Sequence, residues 1–410
     1  MFSERTNWRL AQNPFTKAVE EARARGTALL DLTASNPTRV GLEYDSEAIL
    51  RGLGSKKALD YDPQAKGLRE ARNAVAEYYG REHGIRGLDA ERIVLTTSTS
   101  EGYSFVFRLL CNAGDELLVP KPSYPLFEFL ADLQDVKLVP YPMIYDHGWQ
   151  MDFHSMEQAV TERTRGVVVV HPNNPTGSYV HAEEIKLLNQ FCRAHGLAVI
   201  ADEVFLDYQL EEIVDGKGVD LRSTGQAEAA GPRCSYPSFA GNQDVLTFTL
   251  SGLSKISALP QMKVAWVVTS GPGSEVGEAM GRLEVIADTY LSMNAPVQWA
   301  TAELLSQRQG IQKQLLRRVR NNLAELDRAL AGQTACQRLI VEGGWYTVLR
   351  IPVTQSDEDL AIALVREKGV VVHPGHFFDF PKDGYLVLSL ITREKEFGEG
   401  TERVVAFLNS

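Results

Sequence analysis

The sequence predicts an α/β protein that has a mostly parallel central sheet with flanking helices, plus a smaller α+β domain. Short apolar runs alternate with amphipathic stretches through the middle of the chain, as they do in strand–helix–strand units. Near-continuous apolar runs, such as the four valines at 167–170, suit strands that are buried on both faces of a parallel sheet. A length of 410 residues exceeds what one hydrophobic core usually supports, so two packed subdomains are expected.

The elements follow from the same patterns. The strands of the central sheet are predicted at residues 93–97, 116–120, 166–171, 198–202, 245–250 and 263–268, with helices at 101–111 and 182–195. Farther along, the patterns predict a helical stretch at 300–331, an apolar segment at 339–351, a helix at 356–368 and a strand at 385–390.

The order of these elements predicts the domain boundaries. A large domain is expected over 46–290, and a small domain is expected to form from 1–45 and 291–410. Residues 215–243 are rich in Gly, Ser and Pro and predict a surface insertion.

Composition and charge exclude several classes of protein. Hydrophobic residues make up 44% of the chain and charged residues 23%, which is typical of a globular protein. A formal net charge of −11 argues against a nucleic-acid partner, because such affinity comes mainly from Lys and Arg on phosphates. The four cysteines are far apart, which fits neither a metal site nor a disulfide scaffold. No stretch approaches the ~20 apolar residues that span a bilayer, and residues 1–12 lack a secretory signal, so a cytoplasmic protein is expected.

The most informative segment is the turn at 251–255, Ser-Gly-Leu-Ser-Lys, which directly follows an apolar run. A lysine held in a partly desolvated pocket has a lowered pKa, and a free amine is the nucleophile that attacks a carbonyl. Taken alone, Lys255 fits an ordinary surface charge better, so its interpretation depends on the neighbouring motifs.

An acidic pair, Asp202 and Glu203, ends the apolar run at 198–201. An acid in this position can pair with a cationic ring nitrogen and hold it protonated. A helix cap or a surface pair is the alternative interpretation of the same residues.

Two more polar motifs follow predicted strands. In the segment 171–177, His-Pro-Asn-Asn-Pro-Thr-Gly, Asn174 is fixed by the proline after it and can present its amide to a phenolic oxygen, although many Asn-Pro pairs are plain turns. His171 is expected to be a packed histidine rather than a base. Ser98, Thr99 and Ser100 stand at a predicted helix start, where hydroxyl and amide groups favour an anion or simply cap the helix.

The order of these motifs resembles that of the fold-type-I pyridoxal 5′-phosphate (PLP) enzymes, specifically the class I/II aminotransferases. The resemblance covers nearly the whole chain. It rests on the segments 61–69, 97–100, 122–125 (Pro-Ser-Tyr-Pro), 173–177, 202–204 (Asp-Glu-Val) and 254–255. It implies a PLP-binding large domain and an enzyme that transfers an amino group between an amino acid and a 2-oxo acid by a ping-pong mechanism.

The resemblance also implies a role for each matching residue. Lys255 would bind PLP as a Schiff base and shuttle a proton. Asp202 would pair with the pyridine nitrogen, Asn174 with the phenolic oxygen, and Tyr124 would stack on the ring. The implied phosphate ligands are Ser98, Thr99, Ser100, Ser251, Ser254 and Lys263. Tyr61 would reach the phosphate of a neighbouring subunit, which implies a homodimer with shared active sites.

The chain departs from the family pattern in three places. Phe205 stands where a tyrosine usually supports the phenolic oxygen, and Lys263 stands where an arginine usually grips the phosphate. Val387 replaces the arginine that usually holds the substrate carboxylate. We therefore expect the substrate to be bound by other groups, with Arg393, Asn36 and Asn174 as candidates.

Other functions are compatible with parts of the pattern. A β-lyase or an amino-acid cyclase could use the same cofactor residues, and a stoichiometric keto-acid product would separate these from transamination. A transcription regulator with an aminotransferase-like domain is disfavoured by the acidic charge.

Overall fold

Strands and helices alternate along the part of the chain that the computed structural model describes, namely residues 1–8, 10–210, 236–291 and 293–409. The described strands are β1 (Leu30–Asp31), β2 (Ile93–Thr96), β3 (Glu116–Lys121), β4 (Lys137–Tyr145), β5 (Trp149–Met151), β6 (Thr164–Val170), β7 (Ala198–Asp202), β8 (Thr247–Gly252), β9 (Ala265–Ser270), β10 (Gln337–Arg338), β11 (Tyr346–Arg350), β12 (Val370–Val371), β13 (His373–Pro374) and β14 (Tyr385–Ser389).

The α-helices are distributed between these strands. Those described are α1 (Pro14–Ala24), α2 (Ser46–Leu53), α3 (Arg69–Glu82), α4 (Thr99–Leu110), α5 (Phe127–Asp132), α6 (Phe153–Ala159), α7 (Ala182–His195), α8 (Leu253–Ile256), α9 (Gly273–Thr289), α10 (Ala295–Ser306), α11 (Arg308–Leu330), α12 (Asp357–Ala363) and α13 (Glu394–Leu408). None of them combines the length and apolar character that a membrane span requires.

Eight strands form the central sheet in the order β2-β9-β8-β7-β6-β3-β4-β5. The five strands from β8 to β4 are parallel to their neighbours, whereas β9 is antiparallel to both β2 and β8, and β5 is antiparallel to β4. This confirms the predicted mostly parallel sheet. The last predicted strand begins two residues later than expected because Lys263 adopts a left-handed φ of 54°, which a strand cannot contain.

A second sheet, in the order β10-β11-β14-β13, forms the core of the C-terminal part together with α11, α12 and α13. The helical pattern predicted over 300–331 is divided into α10 and α11 at Gln307. The helix predicted over 356–368 consists of α12 and a π-helical turn, Leu364–Lys368, which ends at Gly369 in a left-handed conformation.

The N-terminal segment contacts both parts of the molecule. Phe15, Ala18 and Val19 of α1 pack into the core of the second sheet. Trp8, however, donates a hydrogen bond from Nε1 to Asp132 Oδ2 of α5 at 2.7 Å. Most of the predicted insertion at 215–243 lies outside the described residues, and its last part contains a 3-10 turn at Phe239–Gly241.

The strand register brings the polar motifs to one edge of the central sheet. Val170 pairs with Asp202, and Asp202 pairs with Leu250, so the motifs that follow β6, β7 and β8 are neighbours. β2 and β3 end at the same edge, which adds the segments at 97–100 and 122–125. This edge lies at the carboxyl ends of the parallel strands, where binding sites in α/β sheets are usually found.

Candidate active site

Lys255 lies in the short helix α8, directly after β8. Its side chain is partly buried, and Nζ lies 4.9 Å from the ring centroid of Trp345 and 5.5 Å from that of Phe205. Burial lowers the pKa of Lys255 to about 8, while the nearby charge of Asp202 opposes this shift. The amine is therefore partly unprotonated near neutral pH, as a nucleophile must be.

Asp202 is a buried carboxylate at the end of β7. The Val204 backbone N–H donates to Oδ1 at 3.1 Å, and the Tyr103 hydroxyl donates to Oδ2 at 3.0 Å. Burial raises the pKa of Asp202 to about 6, and both hydrogen bonds and Lys255 oppose this shift. The sequence analysis missed Tyr103, for which the only signal was its position one turn after Thr99 on α4.

The two asparagines after β6 have different roles. The side-chain amide of Asn173 is hydrogen-bonded within the protein. Its Nδ2 donates to the Pro122 carbonyl at 3.0 Å and to Thr176 Oγ1 at 2.9 Å, and its Oδ1 accepts from Ser123 Oγ at 3.1 Å. These bonds connect the segment that contains Tyr124 to the turn that contains Asn174. Asn174 itself is buried, and its Oδ1 has no hydrogen-bond partner among the described residues.

His171 is buried against aromatic rings, and its Nδ1 accepts a hydrogen bond from the Val180 backbone N–H at 3.0 Å. Burial lowers the pKa of His171 to about 3, so the ring stays neutral. The prediction of a packed histidine is confirmed.

The predicted phosphate ligands lie at two helix starts and a turn. Helix α4 begins at Thr99, and Ser98 caps it by accepting a hydrogen bond from the Glu101 N–H at 3.2 Å. Ser98, Thr99 and Ser100 all remain partly exposed.

The ligands predicted from the lysine segment differ in exposure. Ser251 is buried and donates its hydroxyl hydrogen to the Glu203 carbonyl at 3.3 Å, whereas Ser254 is partly exposed and Lys263 is exposed. Of the two serines, Ser254 has the hydroxyl that is better placed to meet a ligand.

Further aromatic side chains pack near Lys255 and Asp202. Tyr124 is partly buried, which raises its pKa to about 12, and it packs edge-on against Phe127. Trp345, just before β11, and Tyr346 of β11 pack against Phe205 with ring centroids 5.2 and 6.3 Å away. Trp345 and Tyr346 were not predicted from the sequence, because no motif marks them.

The residues predicted to bind the substrate carboxylate lie in separate places. Val387 is buried in β14, paired with Val348 and His373. Asn36 is exposed, and its Oδ1 accepts from the Thr38 N–H at 3.0 Å and from the Thr38 hydroxyl at 2.7 Å. Arg393 is the N-cap residue just before α13 and places its guanidinium against Gly41.

Tyr61 lies on the surface, where 82% of the residue is exposed. It borders an open cleft of about 610 Å³ that is also lined by Leu68, Met293, Asn294 and Trp299.

The family model for aminotransferase class I and II matches residues 30–395 of the chain. The chain belongs to this family. The predictions of an aminotransferase fold and of a transferase enzyme are thereby confirmed. No group of three or more His, Cys, Asp or Glu side chains suited to a metal ion occurs in the described ranges.

Several named relatives match over almost their whole length. The chain is 25% identical over 407 residues to the glutamate-pyruvate aminotransferase of Escherichia coli K12, a match covering 97% of this chain and 95% of the relative. It is 27% identical over 398 residues to the aspartate/prephenate aminotransferase of Thermus thermophilus, covering 95% and 93%. The solved alanine aminotransferase of Pyrococcus furiosus shares the fold, with a TM-score of 0.86, 21% identity and 100% of both chains covered.

Proposed function

We propose that the chain is a PLP-dependent aminotransferase that moves an amino group between an amino acid and a 2-oxo acid in a ping-pong cycle, with Lys255 as the cofactor-binding residue. The observation that carries this proposal is the meeting of three groups at one sheet edge. These are the low-pKa amine of Lys255, the buried carboxylate of Asp202 and the buried side-chain amide of Asn174, whose Nδ2 can donate to a ligand oxygen. Members of the family depend on PLP.

The residues at this edge fit that cofactor. When bound, PLP supplies an aldehyde and an electron-withdrawing ring. Asp202 would hold the ring nitrogen protonated, because Tyr103 and Val204 fix its orientation and burial strengthens the pairing. Asn174 would bind the phenolic oxygen, and Tyr124 would cover one face of the ring.

The phosphate would be held mainly by the start of α4. The amide groups of a first helical turn lack intrahelical partners and favour an anion. Thr99 and Ser100 supply such amides and hydroxyls, with Ser98 beside them. Ser254 would add a hydroxyl, Lys263 a positive charge, and Ser251 a weaker contribution because its hydroxyl already donates to Glu203.

Lys255 would then move the proton at the substrate Cα. Its pKa of about 8 leaves both protonation states accessible near neutral pH, which is the condition for efficient general acid–base catalysis. Phe205 and Trp345 exclude water on the side where they face the amine.

The substrate carboxylate has three candidate ligands in this proposal: Arg393, the segment around Asn36, and Asn174. Arg393 lies against Gly41 of the N-terminal segment, a few residues after Asn36. We also propose a cytoplasmic enzyme, which agrees with the free cysteines Cys111, Cys192 and Cys336.

A panel of amino donors tests the function. The purified protein is loaded with PLP and mixed with each amino acid, while the absorbance of the bound cofactor and the keto-acid product are recorded. Alanine, glutamate and aspartate are the first donors to test, because the relatives are named for them. One keto acid per bound cofactor, followed by recovery with a 2-oxo acid, is expected. Release of ammonia without such recovery would instead indicate a lyase.

The pH dependence of cofactor capture follows from the pKa of Lys255. Only the unprotonated amine attacks an aldehyde, so the capture rate should rise with pH and level off above about 8. Stopped-flow absorbance of the cofactor-free protein mixed with PLP measures this rate. A rate that keeps rising tenfold per pH unit up to pH 10 would show that Lys255 is an ordinary lysine.

We propose a homodimer in which Tyr61 completes the site of the partner subunit. The exposure of Tyr61 beside the open cleft supports this proposal, since a large exposed aromatic side chain is typical of an interface. Tyr61→Phe dimers should bind PLP more weakly. Mixed with Lys255→Ala protein, they should form hybrid dimers with one site in which Tyr61 and Lys255 are both intact.

The activity of the mixture measures this sharing. If one subunit supplies both residues to its own site, every site of a hybrid dimer carries one of the two substitutions, and mixing restores no activity. Recovery of up to half the wild-type activity per hybrid dimer is expected with shared sites.

A further inference from the structure

We propose that Gln312 is a positioning residue for Lys255. It links residues 253–259, the lysine segment, to helix α11, which continues into the core of the second sheet. The role in catalysis rests on the proposed function, whereas the structural part does not.

The segment that carries Lys255 is a short turn in which backbone N–H groups of residues 257–259 donate to the Leu253 and Lys255 carbonyls but not to the Ile256 carbonyl. Helix α8 contains only four residues, and Ala258, which follows it, has a left-handed φ of 50° that is unfavourable for a residue with a side chain. A helix of this length leaves most of its last carbonyl groups without helical partners. Its position therefore depends on groups from elsewhere in the chain.

Side chains from three distant parts of the chain supply those groups. The Tyr208 hydroxyl donates to the Lys255 carbonyl at 2.6 Å, and the Tyr44 hydroxyl donates to the Ala258 carbonyl at 2.9 Å. Between them, Gln312 Nε2 donates to the Ile256 carbonyl at 2.9 Å.

Gln312 is itself held by a buried carboxylate. The same Nε2 donates to Asp207 Oδ2 at 2.7 Å, so both of its amide hydrogens are used. Asp207 Oδ1 accepts from the Tyr78 hydroxyl at 2.8 Å and lies 3.0 Å from His83 Nε2. Burial favours the neutral acid, but hydrogen bonds from His83, Tyr78 and Gln312 outweigh it and lower the pKa of Asp207. Gln312 is thus oriented by a charged and fully hydrogen-bonded group.

The position of Gln312 in the fold makes it a link between the domains. It lies in the second turn of α11, whose first residue, Arg308, forms a buried ion pair with Glu82 of α3 in the central domain. Farther along, Leu315 and Val319 of the same helix belong to the core of the second sheet. Movement of the second domain would therefore be transmitted through α11 to the peptide that carries Lys255.

Gln333, just after the same helix, provides a matched control. Its side chain also makes two hydrogen bonds to one backbone residue, donating to the Cys336 carbonyl at 2.8 Å and accepting from the Cys336 N–H at 3.0 Å. It makes these bonds within its own turn rather than to residues 253–259 or to the segment that carries Tyr44.

The test compares Gln312→Met with Gln333→Met in the full chain. Hydrogen exchange of the cofactor-free proteins, read on peptides covering 253–259, should become about tenfold faster for Gln312→Met and stay unchanged for Gln333→Met. In the PLP-loaded enzymes, kcat should fall by about ten- to a hundredfold for Gln312→Met, with KM changed less than threefold, because a misplaced catalytic group affects the chemical step.

Two further comparisons complete the test. Asp207→Asn should reduce kcat as well, and adding Gln312→Met to it should cost much less than Gln312→Met costs alone, because the two residues act as one unit. Unchanged exchange in Gln312→Met, equal effects of the two glutamine variants, or faster exchange with unchanged kcat would each overturn the proposal. If the wild-type chain transaminates no donor, the proposed function fails, and the exchange comparison still decides whether Gln312 holds the lysine segment.

Discussion

Lys255→Ala is expected to reduce transamination by about 10⁴-fold or more, because one amine both binds the cofactor and moves the proton. Burial of Lys255 against Trp345 and the resulting pKa of about 8 are the physical basis for this expectation. The measurement is single-turnover formation of keto acid by purified protein with saturating PLP.

The matched control is Lys186→Ala. Lys186 is exposed on α7 and pairs with Glu183 at 2.6 Å within the same helix. Its removal should leave turnover unchanged, since an exposed pair of this kind contributes little. A Lys255→Ala enzyme that turns over as fast as this control would remove Lys255 from the active site.

Asp202→Asn is expected to lower kcat by about 10²- to 10³-fold, which corresponds to roughly 3 to 4 kcal/mol of transition-state stabilisation. A neutral amide cannot hold the ring nitrogen protonated, although its size and part of its hydrogen bonding to Tyr103 and Val204 are kept. Steady-state kinetics and the melting temperature should both be measured, because the fold should be retained.

The adjacent residue gives the control for this experiment. Glu203 is also buried, but its carboxylate accepts hydrogen bonds from Ser238 Oγ and the Phe239 N–H, both at 2.6 Å. Glu203→Gln should therefore change stability more than kcat. Equal losses of kcat in the two variants would mean that removing either buried charge at this strand end has the same effect. That result would contradict a specific role for Asp202.

The sequence predicted the parts of the site that local patterns encode. Asp202 ends β7, and Lys255 and Asn174 lie within four residues of the ends of β8 and β6, so the end of each apolar run and the type of residue indicated them as candidates. Their proximity was expected, because the carboxyl ends of parallel strands lie at the same edge of a sheet. The strand register then confirmed that the segments are neighbours.

The missed residues depend on packing between distant segments. Tyr103 contacts Asp202 across 99 residues of sequence, and Gln312 contacts Ile256 across 56, so no local pattern could indicate them. Trp345, which precedes β11, approaches Lys255 because it packs against Phe205 and Tyr208, which follow β7. The group that binds the substrate carboxylate could not be predicted for the same reason. Val387 stands where the family pattern has its arginine, and the residue that replaces this arginine comes from elsewhere in the fold.

Strand β4 was missed for a different reason. β4 contains Pro140 and Pro142, which argue against a strand because proline cannot donate to the ladder. β4 lies next to the edge of the sheet and pairs with the short β5 only at residues 143–145, so the missing donors are tolerated there.

The most direct test of the account is to find which lysine carries PLP. The loaded protein is reduced with borohydride, digested and analysed by mass spectrometry. We expect one phosphopyridoxyl group per chain, on the peptide that contains Lys255, and complete loss of this label when an amino donor from the panel is added before reduction. A label on another lysine, such as Lys263, or a label that no amino donor removes, would contradict this expectation.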